Sequence, residues 1–204
     1  MRLLTAVAVI GLCAFAAFRG WGIVGFAVAR AHGASGDRQA VRAWIGVAGL
    51  AGAAREASLT QVADPADIAG ARQRGDDLAA VLSVRPLSST NWLSLAGMRL
   101  ITAQPYQQVL AALTMSWVTG ANEGAIMLQR GIFGLLQWEA LPPDARKRII
   151  ADLAGVVLGT SIHDVSINPA KNVLSGKSAD TRREIAGLLR AEGVSATELA
   201  RMGL

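Results

Sequence analysis

The apolar stretch that opens the chain limits its fold more than any other feature. Met1-Arg2 is followed by an uncharged run from Leu3 to Phe18, then Arg19-Gly20, a second apolar run from Trp21 to Ala29, and Arg30. A helix needs about 20 mostly apolar residues to cross the hydrocarbon core of a bilayer. Leu3–Phe18 alone is short for that, and suits the hydrophobic centre of a signal peptide with Arg2 as its basic flank. With Trp21–Ala29 added the run reaches spanning length, but Arg19 then falls inside it. An Arg near the bilayer centre costs about 2.5–3.5 kcal/mol on insertion scales, whereas near one end it snorkels to the interface. Trp21 is placed as an interfacial aromatic. Residues 1–30 are therefore expected to be a membrane anchor or signal segment, with residues 3–29 against lipid. Ala27-Val28-Ala29 and Ala29-Arg30-Ala31 both satisfy the small-x-small cleavage rule. The apolar run continues up to both, which favours an uncleaved anchor over a cleaved leader, with a buried helix as the third reading. Cys13 lies mid-segment and reads as a small apolar residue.

Sidedness stays open on these residues alone. Counting basic residues sets Arg2 and the amino terminus against Arg30, Arg38 and Arg42, which favours a cytoplasmic body. The short, signal-like leader favours export.

The formal charge of +5 invites a nucleic-acid reading. Residues 1–42 hold five Arg and one acid, while residues 43–204 hold 15 basic and 14 acidic residues. The basicity flanks the apolar segment, as attraction to anionic lipid predicts, and the nearly neutral body argues against a broad phosphate-binding face of the kind that nucleic acid requires. A single Cys excludes an intrachain disulfide and a cysteine-based zinc site. No cofactor and no metal is expected.

Beyond the anchor, apolar residues recur at helical spacing, so the chain is expected to be all-α. A helical-hairpin domain is expected over residues 37–158, and a looser region of loop and short helices over 159–204. The first helix is expected from Asp37 to Ser58, with Gly46, Gly49 and Gly52 in tight helix contact. Asp64-Pro65-Ala66-Asp67 opens a second through a cap and an N-terminal proline. Pro86-Leu87-Ser88-Ser89 opens a third, and Pro105 a fourth that stops at Gly120. A fifth spans Asn122 to Ala140. Pro142-Pro143-Asp144 opens a sixth, which runs to about Leu158. Short helices follow near Pro169–Leu174, over Ser178–Ala191, and after the Ser195-Ala196-Thr197-Glu198 capping box. The repeated plan is an antiparallel helical hairpin. Trp92, Leu95 and Ala96 match the opening of a tetratricopeptide repeat, but Arg99 stands where an aromatic belongs. Degenerate tetratricopeptide-like hairpins and an irregular helical bundle both fit.

Little chemistry can be assembled. Ser161, His163 and Asp164 are too close in sequence to converge as a triad from separate elements. Glu123 and Glu139 are sixteen residues apart, too far along one helix to work as a pair; Glu123 reads as a partner of a helix N-terminus. No phosphate loop or nucleophile elbow is present, and the chain is expected not to be an enzyme.

Thr119-Gly120-Ala121-Asn122-Glu123, Arg130, Trp138, Leu141-Pro142-Pro143 and Arg146 resemble a pattern in small proteobacterial membrane proteins encoded with exopolysaccharide or O-antigen polymerisation and export machinery. The resemblance covers about a third of the chain. It implies tetratricopeptide-like domains exported from the inner membrane, with an accessory or scaffold role toward an envelope-assembly partner and no catalytic residues to transfer. On that basis Trp92, Tyr106, Trp117, Arg130 and Trp138 are the candidate partner-binding residues, since Trp, Tyr and Arg dominate interface hot spots. The alternative is a small structural subunit of an integral membrane complex, packing through Gly11, Ala14 and Gly22.

Overall fold

Proline, glycine and hydroxyl side chains divide the chain into helices at most of the places where local chemistry demands it. A computed structural model describes residues 2–34, 38–47, 50–59, 67–159 and 166–204. The described residues are all-helical: eleven α-helices, a single 3-10 turn and no strand. They belong to two compact units, Met1–Pro86 with Ile101–Ala103, and Leu87–Leu100 with Gln104–Leu204. This division falls elsewhere than at the segment ends near residues 30 and 158 that the sequence suggests. The last helices, at 168–202, pack within the same unit as the hairpin helices before them.

The first unit contains α1 (Arg2–Ala34), α2 (Arg38–Arg42), α3 (Ala51–Leu59) and α4 (Ile68–Val84). Among the described residues no helix is long and apolar enough to cross a membrane, so the spanning helix expected over 3–29 is without structural support. Near its C-terminal end α1 buries Phe26 against Val41 and Ala54, with Trp44, Ile45 and Leu50 packed around them. Phe26 and Trp44 meet edge to face with ring centroids 6.3 Å apart, a favoured aromatic geometry. A Cβ at Gly25 would lie 2.6 Å from the Trp44 ring, so the indole sits where only glycine leaves room.

The single helix expected over Asp37–Ser58 is not formed. The chain leaves α2 after Arg42 and turns through i→i+3 hydrogen bonds, Trp44 N to Val41 O, Ile45 N to Arg42 O and Val47 N to Trp44 O. Clustered glycines explain the break, since each costs about 1 kcal/mol relative to Ala inside a helix. Gly46 and Gly52 meet nothing within 4 Å, so the close packing expected to compensate them is absent there; Gly49 lies outside the described residues. Asp64 and Pro65 also lie outside them. The helix that follows is capped by Asp67, whose carboxylate accepts from Gly70 N at 2.8 Å. Arg42 pairs with the buried Asp77 and ties α2 to α4.

The second unit contains α5 (Ser89–Ile101), α6 (Tyr106–Thr119), α7 (Gly124–Leu136), a 3-10 turn (Trp138–Ala140), α8 (Pro143–Leu158), α9 (Asn168–Ser175), α10 (Ala179–Ala191) and α11 (Ala196–Met202). The expected fifth helix therefore ends at Leu136, and Trp138 starts a separate 3-10 turn. The α7–α8 pair is antiparallel and unusually close. A Cβ on Gly131 would stand 2.5 Å from Leu153, one on Gly134 would overlap Ile149, and one on Gly155 would overlap Met127. Glycines on facing helices thus let large aliphatic side chains sit against bare backbone.

The capping box predicted at Ser195 is formed, with Ser195 N donating to Glu198 Oε2 at 2.9 Å and Glu198 N to Ser195 Oγ at 3.3 Å. The Ser195 backbone N–H, then its hydroxyl, hold the Glu198 carboxyl below its ordinary value. A folded-state value below the unfolded one gives stability that is present above the unfolded value and lost as pH falls through the folded one. A carbon-13 NMR titration of Glu198 is expected to show a midpoint below that of a free glutamate. An ordinary midpoint would show that the box does not form in solution.

Candidate functional site

The charged centre of the second unit is buried. Arg130 is fully enclosed, although a charged side chain is almost never found there without a partner. It lies on the inner face of α7 with Ile126 and Gly134, at helical spacing of four. Its partner, Asp152, lies on the inner face of α8 between Ile149 and Val156. Arg130 Nε donates to Asp152 Oδ2 at 2.8 Å and Nη2 to Oδ1 at 2.9 Å, a bidentate fork. Nη1 donates to Ser116 O at 3.1 Å and Gly120 O at 2.9 Å, and Nη2 to Ala121 O at 3.4 Å. All five guanidinium N–H groups are thereby used. The three carbonyls belong to the C-terminal end of α6, where a cation also meets the negative end of the helix dipole. Trp117 Nε1 completes the network by donating to Asp152 Oδ2 at 2.7 Å.

Gly120 and Glu123 hold the turn above this pair. Ser89 Oγ donates to Glu123 Oε2 at 2.9 Å, and a Cβ on Gly120 would overlap Ser89. The run Thr119–Glu123 is thus a packed helix–helix connection. Glu123 occupies the N-cap position of α7 without a side-chain capping bond.

The five candidate partner-binding residues do not form one surface. Arg130 and Trp138 are fully buried and offer no surface to a partner, while Trp117 is 9% exposed and keeps one edge at a surface recess. The Trp138 indole donates to Glu184 at 3.2 Å, beneath the Arg146 guanidinium at 5.3 Å from its ring centre. Trp92 and Tyr106 are half-buried. Burial pushes the Tyr106 phenol up, and its hydroxyl has no hydrogen-bond partner among the described residues. Tertiary pairing overrode the expectation that Trp and Arg mark a surface: Trp117, Arg130 and Trp138 each meet a carboxylate from another helix.

One surface recess does involve a named residue. Trp117 lines a cavity of about 200 Å³ with Leu110, Thr114, Pro142, Asp144, Ala145 and Arg148. The Arg148 guanidinium lies 5.4 Å from the centre of the indole. An apolar floor flanked by one cation and one carboxylate suits an apolar side chain of a partner.

Ser161, His163 and Asp164 lie outside the described residues, as does the side chain of His32. Among the described residues, no three His, Cys, Asp or Glu side chains gather as a metal site. No family model, curated protein or solved structure matches the chain.

Proposed function

We propose that the protein is a non-enzymatic, membrane-anchored helical scaffold that holds a partner of a cell-envelope assembly, in polysaccharide biosynthesis or export at a bacterial inner membrane. The observation that carries the membrane part is the surface of α1. Ile10, Leu12, Trp21, Ile23, Val24 and Val28 are all exposed on that one helix, between 52% and 78%. Contiguous exposed apolar surface marks a membrane or protein contact. Phe26 and Ala29 turn inward instead, while Ile23, Val24 and Val28 around them stay uncovered. The scaffold part draws support from the Trp117–Arg148 recess and from the resemblance of residues 119–146. An envelope setting also fits the placement of the chain's excess positive charge beside the apolar run.

A reporter at the C-terminus tests this in bacterial cells. An alkaline phosphatase fusion is expected to be active and to stay in the membrane pellet through a carbonate wash. A fusion recovered in the soluble fraction overturns the anchor. The alternative, a subunit that packs through its own apolar helix, is favoured at Gly11, which meets nothing within 4 Å and would admit a partner helix closely. Gly22 faces Leu50 of its own unit instead.

A further inference from the structure

Charges that balance along the sequence of the last two helices do not balance in space. Arg182, Arg183 and Arg190 of α10 and Arg201 of α11 are accompanied by Asp180, Glu184, Glu192 and Glu198. Glu184 faces Trp138 and Arg146, accepting from both at 3.2 Å. Glu198 closes the Ser195 cap. Asp180 pairs with Arg183. Glu192 follows the end of α10 and makes no ion pair with another described residue. Arg182 and Arg190 likewise make no ion pair with another described residue.

Arg182, Ala186 and Arg190 recur every four residues, so they share one helix face, about 12 Å long at 1.5 Å per residue. That face forms one wall of an open cavity of about 510 Å³, closed on the other side by Gly203 and Leu204. Gly203, in the left-handed conformation at φ 83°, caps the C-terminal end of α11. Arg183 also lines the cavity, although it is paired with Asp180.

We propose that this groove binds a phosphoryl group. Planar guanidinium forks match the oxygens of a phosphoryl group in a way that ammonium groups do not. The volume lies in the range of small-ligand sites, and Ala186 and Leu204 give the ligand's carbon portion an apolar floor. Two sources carry this chemistry, a soluble phosphate ester and the headgroup of an anionic lipid. The proposal does not depend on the membrane reading, because the soluble source needs no bilayer.

The test uses the full chain in an uncharged detergent, titrated with inorganic pyrophosphate at low salt by calorimetry. The same chain is added to phosphatidylcholine vesicles with and without phosphatidylglycerol. Saturable pyrophosphate binding is expected, weakened about tenfold or more in an Arg182→Gln, Arg190→Gln variant, as loss of charge-assisted hydrogen bonds implies. The variant's melting temperature should be unchanged, since neither side chain gives up an ion pair. Loss in the variant of a phosphatidylglycerol-dependent gain in vesicle binding supports the site and assigns the source to lipid. A pyrophosphate effect without that loss supports it and assigns a soluble ester. The proposal is overturned if neither probe separates the variant from the parent. It is also overturned if replacing the exposed Arg72 of α4 with Gln weakens pyrophosphate binding equally.

Discussion

An Asp152→Ala variant of the full chain is expected to be destabilised by about 3–5 kcal/mol, because it leaves a buried guanidinium without its counter-charge. Two donors of Arg130 and the Trp117 indole N–H lose their acceptor together. Urea denaturation followed by tryptophan fluorescence measures the loss, and Trp117 and Trp138 lie within the affected unit. Replacing both partners, Arg130→Met with Asp152→Leu, should recover part of the stability, since a buried ion pair is often matched by packed apolar residues. Recovery should be incomplete. The buried Gly120 carbonyl loses its guanidinium donor, and a buried acceptor left unpaired costs about 1–3 kcal/mol, whereas Ser116 O keeps its bond from Gly120 N. An Asp152→Ala variant within 1 kcal/mol of the parent, a margin well under the figure for an unpaired buried charge, would show that the pair is solvated.

Gly134→Ala is expected to destabilise by about 1–3 kcal/mol, the range for overpacking. The sign is the informative part. In an open helix the same change stabilises by about 1 kcal/mol through propensity. At Gly134 the new methyl would overlap Ile149 across the α7–α8 contact. Gly187 provides the control, as an exposed glycine within α10 that meets nothing within 4 Å, and Gly187→Ala should stabilise. Coupling to Ile149→Ala, which opens the facing position, should exceed about 0.5 kcal/mol in a double-mutant cycle. If Gly134→Ala stabilises as much as Gly187→Ala, the close helix approach is wrong.

Helix ends were legible because their signals are local. Gly120, Pro142-Pro143 and the Ser195–Glu198 box act within one turn of the elements they bound. The break between α2 and α3 was missed because apolar content was weighed above the cost of three nearby glycines. The interior position of Arg130 was missed because its partner is 22 residues away on another helix. A signal was available: Arg130 and Asp152 each occupy a core position of an otherwise apolar stripe, and opposite charges on two such stripes imply a buried pair.

Liposome flotation tests the central claim, that the uncovered apolar side chains of α1 meet lipid. Each such side chain gains about 1.5–3 kcal/mol on full burial, so several acting together should hold the chain to a bilayer. The purified full chain is expected to float with phosphatidylcholine vesicles. An Ile23→Glu, Val24→Glu variant is expected to stay largely at the bottom of the gradient, with its melting temperature unchanged because both side chains are exposed. A parent chain that fails to float, or a variant that floats equally well, would contradict the account.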